Sequence, residues 1–142
     1  MNRRMLLAPL ALLALVFSVA LAVHAQAAKP HPTALIAIYH VAPGKHLDYL
    51  KWVAANDAID KEAGVPPSVL YAHTQGDSWD YVSISPDLSK EQQAKVDAVA
   101  KQHGRKTGYA ASLEFRTFIT SHTDTYAIGP VSAADLVAAA SQ

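Results

Sequence analysis

The chain reads as an α+β domain: a four-stranded antiparallel sheet with helices on one face and a short C-terminal helix. Three observations predict this. The run TALIAIYHV, Thr33 to Val41, is short, apolar and rich in β-branched residues, which favours a buried strand over a helix. SVLYAHTQGDSWDYVSISP, Ser68 to Pro86, sets two strand-forming runs around a Gly-Asp tip and reads as a β-hairpin. Two helical stretches, one before the hairpin and one after it, each stop at a glycine. The order strand, helix, hairpin, helix, strand is β-α-β-β-α-β.

In the first strand, Leu35, Ala37 and Tyr39 point one way, and Ile36, Ile38 and His40 the other. Pro43-Gly44 breaks it. A helix is predicted from Lys45 to Ala63, with Leu47, Leu50, Ala54 and Ala58 as the buried stripe and Trp52, Ala55 and Ile59 beside it. Gly64 and Pro66-Pro67 end it. In the hairpin, a Gly-Asp turn or a Gln75-Gly76-Asp77-Ser78 loop sets His73 opposite Asp80 and Tyr71 opposite Val82; a one-residue slip would exchange the two faces. Ser89 and Gln92 fit a capping box, so the second helix begins there, anchored by Val96, Val99 and Ala100, and ends before Gly104. The basic cluster Lys101, His103, Arg105 and Lys106 suits a helix C-terminus. Tyr109 to Glu114 reads as helix. The last strand is either Phe115 to Thr120 or Asp124 to Ile128. Ser132 with Asp135 opens a helix from Ala133 to Ala140.

Residues 1–27 read as a secretory signal peptide, and 28–142 as one domain. Asn2-Arg3-Arg4 is a basic leader, Met5 to Val23 an apolar run, and small residues follow it, placing cleavage near Ala25 or Ala27. The alternative is an uncleaved anchor, since the run is long enough to span a bilayer. The expected compartment is the periplasm or the exterior, with no membrane attachment after cleavage. Without Arg3 and Arg4, ten basic residues face twelve acidic ones, a formal net of −2. That balance offers nucleic acid no electrostatic footprint. The absence of cysteine excludes disulfides, thiolate metal sites and a cysteine nucleophile.

A sheet covered on one side only leaves an apolar second face, and this chain is too short to cover it. A second copy is the expected cover, giving a homodimer. IAIYHVAPGKHLDYLKWV resembles the first strand and helix of the dimeric α/β-barrel, or antibiotic-monooxygenase-like, superfamily, and GDSWDYVSI resembles its third strand. The resemblance covers roughly Ala34 to Ile128. It implies a ferredoxin-like protomer and a homodimer whose two sheets close a barrel. It implies no single activity, because relatives include cofactor-free oxygenases, haem-degrading enzymes, cyclases and decarboxylase-like proteins. The signal peptide and the long segment after the third strand depart from the common pattern, and no site residue is carried over.

The residues themselves supply several candidates. His73 and Asp80 form the sharpest pair, since a carboxylate beside an imidazole fixes its tautomer and suits it to act as a base; a cross-strand polar pair is the plainer reading. His122-Thr123-Asp124-Thr125-Tyr126 is the densest polar run, with His122 and Asp124 as a second acid–base pair or as parts of a surface turn. His40, His73 and His122 lie on or beside strands and could together hold a metal or ligate haem; separately, each is a locally bonded histidine. No H-E-x-x-H spacing occurs, so no dedicated metal site is predicted. Tyr39, His40, Tyr71, Trp79, Tyr81 and Tyr126 are the candidate ligand-binding residues, or else core and dimer contacts.

Three functions follow. The first is an exported binding or accessory protein that holds a small apolar or aromatic ligand, with no cofactor. The second is a cofactor-independent monooxygenase or isomerase acting on a small aromatic substrate. The third is a haem or metal protein using its histidines. No G-x-S-x-G, Walker or G-x-G-x-x-G motif occurs.

Overall fold

A computed structural model describes residues 32–141. The basic leader, the apolar run and both cleavage positions lie outside the described residues. Among the described residues, no helix is long and apolar enough to cross a membrane.

The elements run β1 (Thr33–Val41), α1 (His46–Glu62), β2 (Val69–Ala72), β3 (Tyr81–Pro86), α2 (Lys90–Gln102), α3 (Gly108–Phe115), β4 (Ile119–Ile128) and α4 (Ala133–Ala140). The strands form one sheet in the order β2-β3-β1-β4, and every neighbouring pair is antiparallel. This is the ferredoxin-like α+β fold, with α3 inserted before the last strand and α4 appended. The apolar β1 takes a central place, where both edges of the strand are paired.

The expected hairpin register holds: Tyr71 pairs with Val82, and the His73 N–H donates to the Asp80 carbonyl at 2.9 Å. Regular pairing stops at Ala72 and Tyr81, so the connection is longer than a two- or four-residue turn. The Ser89 and Ser132 capping boxes both form, and each fixes its helix start as the spacing predicts. Gly64 and Gly104 adopt φ of +75° and +67°, where a left-handed residue closes α1 and α2.

Two expectations are corrected. The last strand is neither Phe115 to Thr120 nor Asp124 to Ile128 alone but one strand, Ile119–Ile128. It is an edge strand, so a polar run such as His122 to Thr125 can pair on one side and face water on the other. The buried face of α1 is also rotated from the predicted stripe. Leu47 is 63% exposed and Ala54 and Ala58 are exposed, whereas Tyr49 is 1% exposed; Ile59, on the neighbouring predicted stripe, is buried as expected. Tyr49 packs between Tyr39 of β1 and Tyr81 of β3, with ring centroids 5.7 and 5.2 Å away. Trp52, on the next turn, meets Phe115 of α3 and Phe118.

Pairing in register puts Leu35, Ala37 and Tyr39 on the helix side of the sheet with Tyr81, Ser83, Ser85, Leu70, His122, Asp124 and Tyr126. Ile36, Ile38, His40, Val69, Tyr71, Val82 and Ile84 lie on the other side. There Ile38 is 37% and Tyr71 54% exposed.

Candidate functional site

The site grows from small residues in the sheet. On the helix side, Ala37, Ser83 and Ser85 occupy the middle of β1 and β3, where larger side chains would fill the space up to α1. Ser83 and Ser85 line a cavity of about 210 Å³ between sheet and helices. Tyr39, Tyr49, Trp52 and Phe115 supply aromatic walls, and Asn56, Asp57 and Asp60 of α1 add polar groups. Tyr49, Val53 and Asp57 follow one another at i, i+4, as do Trp52, Asn56 and Asp60, so two adjacent rows of α1 line it. A second cavity, about 570 Å³, adjoins the first and shares Trp52, Asn56, Asp60, Ser68 and Ser85 with it. Leu35, Lys106 and Tyr126 are also on its walls.

The floor is a line of hydroxyls. Ser68 and Ser85 hydroxyls lie 2.8 Å apart, those of Ser85 and Ser83 3.3 Å apart, and Ser83 bonds the Tyr39 side chain. Each hydroxyl can donate to one neighbour and accept from another. Burial pushes the Tyr39 phenol up to about 12; the nearby Asp124 charge adds to this, and the Ser83 bond partly opposes it. Burial also raises the Tyr49 phenol, aided by Tyr39, Tyr81 and Asp57.

Asp57 and Asp60 sit one turn apart on α1. Burial raises both carboxyls above the usual range. The Ser68 backbone N–H, donating to Asp57, partly offsets that shift, whereas the charge of Asp57 adds to it at Asp60. Neither is among the ion pairs formed by the described residues. The Arg105 guanidinium donates to Asn56 Oδ1 at 3.5 Å.

The predicted candidates are distributed as follows. His73 and Asp80 pair through their backbones only. The Asp80 carboxylate accepts from the Val41 N–H at 2.6 Å and stands 4.0 Å from His46 Nε2. The His73 ring packs on Trp79, and its Nε2 is buried with no hydrogen-bond partner. The expected His73–Asp80 acid–base pair is therefore absent, because the β1 end captures the carboxylate.

His122 and Asp124 do come together, with Nε2 to Oδ2 at 3.3 Å. They share a face of β4, and the His122 ring stacks on Tyr39 at 6.3 Å and meets Phe115 edge-on. His40 lies on the opposite face of the sheet from His122, so those two cannot share a ligand. Among the described residues no group of three potential ligands gathers for a metal. Tyr39 lines the smaller cavity and Tyr126 the larger. Tyr81 stands behind Tyr49, with its hydroxyl 3.5 Å from His46 Nδ1. Tyr71 and His40 are on the far side of the sheet, and Trp79 belongs to the hairpin.

Trp52, Asn56, Asp57, Asp60 and the Ser83–Ser85 pair were not among the sequence candidates. Their signal is the polar i, i+4 row within an otherwise apolar helix face, together with the S-x-S alternation of β3.

No protein family and no curated protein matches the chain. Among solved structures, an uncharacterized NIPSNAP domain protein from Burkholderia xenovorans is 12% identical, with 70% of this chain and 95% of that one covered at a TM-score of 0.42. A dimeric protein of unknown function and ferredoxin-like fold from Bacteroides fragilis NCTC 9343 is 12% identical, with 68% and 95% covered at a TM-score of 0.41. At this identity the likeness gives no residue a role.

Proposed function

We propose that this chain is an exported, dimeric α/β-barrel-type protein that binds a small aromatic ligand. The ligand sits between the sheet and its own helices rather than inside a barrel formed with a partner. The observation that carries this reading is the cavity over Ser83 and Ser85, walled by Tyr39, Tyr49, Trp52 and Phe115 with a few convergent polar groups. Apolar walls with a small number of placed polar groups are the usual make-up of a small-molecule site. Isothermal titration of the purified protein with a panel of small aromatic compounds tests it. Saturable binding that Val53→Trp abolishes and Tyr71→Ala leaves intact supports the cavity. Binding that follows Tyr71 instead moves the ligand to the far side of the sheet and overturns this assignment.

One observation favours a second reading, a cofactor-independent monooxygenase or isomerase. The His122–Asp124 pair stacks on Tyr39, whose ring lines the smaller cavity. An imidazole held by a carboxylate is suited to act as a base; His122 stands behind Tyr39 rather than on the cavity wall, so on this reading it would act on a bound phenol or enol by way of Tyr39. Substrate-dependent oxygen uptake or isomerisation that His122→Ala removes, with binding retained, would establish catalysis. Haem fits these walls poorly: ligation needs an imidazole directed into a flat apolar slot, and no histidine lines either cavity.

A further inference from the structure

We infer that the cavity selects an organic cation: a small aromatic ammonium whose charge is met by Asp57 and Asp60 and whose ring lies among Tyr39, Tyr49, Trp52 and Phe115. This rests on the binding reading above and narrows it to one class of ligand.

The cavity carries the argument. Its walls hold two carboxyl groups and no lysine, arginine or histidine. Asp57 and Asp60 are half-buried, and a carboxylate partly withdrawn from water gains from a cationic or hydrogen-bonding partner. Asp57 has a single backbone donor from Ser68, and Asp60 has no cation within ion-pair distance among the described residues. An ammonium entering beside them would supply the missing charge and hydrogen-bond donors. The four aromatic rings favour the same guest, because ring faces attract cations, most strongly when water is excluded. The Ser68, Ser85, Ser83 and Tyr39 hydroxyls offer further acceptors across the floor. An anionic ligand meets the opposite situation, since every charged side chain on these walls is acidic. The larger cavity differs: it has Lys106 on its wall together with Asp60, Asp87 and Asp97. Discrimination by charge therefore belongs to the smaller one.

Three probes of nearly equal shape separate the possibilities: benzylammonium, benzyl alcohol and benzoate. The purified protein is titrated with each by calorimetry. A Trp79→Phe background leaves Trp52 as its one tryptophan, so fluorescence then reports the cavity. Benzylammonium is expected to bind with a change in Trp52 emission, and benzoate is expected not to bind. Asp60→Asn should weaken benzylammonium about tenfold or more, and Asp57→Asn with Asp60→Asn should bring it to the level of benzyl alcohol. Both asparagine variants keep the side-chain volume, and circular dichroism checks that they fold. If benzyl alcohol binds as tightly as benzylammonium, or if the asparagine variants leave benzylammonium unchanged, the charge selection falls while the cavity survives as a binding site. If none of the probes perturbs Trp52, the cavity assignment falls with it.

Discussion

The carboxylate of Asp80 holds the backbone N–H of Val41 at 2.6 Å. The position matters because regular β1–β3 pairing ends at Tyr39 and Tyr81. Val41 lies beyond the last pair on that edge, where its N–H has no ladder acceptor, and the side chain of Asp80, just ahead of β3, supplies one. The Asp80 N–H also donates to the Tyr39 carbonyl at 2.9 Å, so one residue fastens the end of β1 twice.

Removing that carboxylate leaves a donor on a buried residue unmet. Asp80→Ala is expected to lower stability by about 1.5–3 kcal/mol, the range for a hydrogen bond to a charged group. His73→Ala loses only the packing on Trp79, about 0.5–1.5 kcal/mol. Denaturant melts of both single variants and the double variant check this. Their effects should add to within about 0.5 kcal/mol. A larger coupling would mean that His73 and Asp80 act as a side-chain pair after all.

The rotation of α1 yields a second test. Tyr49 is fully buried against Tyr39 and Tyr81, whereas Leu47, only two residues earlier, projects into solvent. Tyr49→Ala is expected to cost about 3–5 kcal/mol, as for other buried aromatic truncations. Leu47→Ala should stay within about 0.5 kcal/mol in the isolated protomer. Comparable losses at the two positions would restore the stripe predicted from Leu47, Leu50, Ala54 and Ala58.

What the sequence disclosed, and what it concealed, divides along physical lines. Local chemistry was legible: the serines at 89 and 132 fixed two helix starts, and the Gly-Asp tip fixed the pairing of Tyr71 with Val82. The face of α1 was concealed because an apolar-stripe search rejects Asn56, Asp57 and Asp60. Those residues turn inward because the small side chains of β3 leave space there. The length of β4 was concealed for a related reason. Its middle, Ser121 to Thr125, is polar on both faces, which only an edge strand tolerates. The His73–Asp80 pair followed correctly from register, but register places backbones, and the carboxylate had a nearer donor in Val41.

The carboxyls of α1 make a prediction about pH. Burial, and at Asp60 the charge of Asp57, hold both above the usual carboxylate range in the folded protein. Between the unfolded value and the raised folded one, the folded state binds more protons than the unfolded chain. Stability contributed by these groups therefore rises as pH falls through that window, and above it the ionised forms oppose folding. Asp60→Asn removes the opposition. The variant is expected to melt higher than the parent at pH 7, with the gap closing as the pH is lowered toward the ordinary carboxylate value. Thermal melts of both proteins between pH 3 and 8, taken together, check this. A gap that widens on acidification would show that Asp60 is stabilised as an anion.

The far side of the sheet bears on assembly. Ile36, Ile38, Val82 and Ile84 form its middle, with Val69 and Tyr71 more than half exposed at the β2 edge. Contiguous apolar surface of this kind, with no second layer over it among the described residues, is suited to a second copy related by a two-fold axis. On this reading light scattering finds twice the chain mass for the parent protein. Ile38→Asp, which sets an unpaired charge at the centre of the face, should yield a folded monomer with unchanged far-ultraviolet dichroism. The cavity under α1 belongs to one chain, so the monomer should keep its ligand affinity to within about threefold, less than the tenfold step of 1.4 kcal/mol. A parent protein that is monomeric at micromolar concentration would remove the dimer while leaving the cavity where it is. Loss of ligand binding in a folded Ile38→Asp monomer would instead place part of the site on the partner.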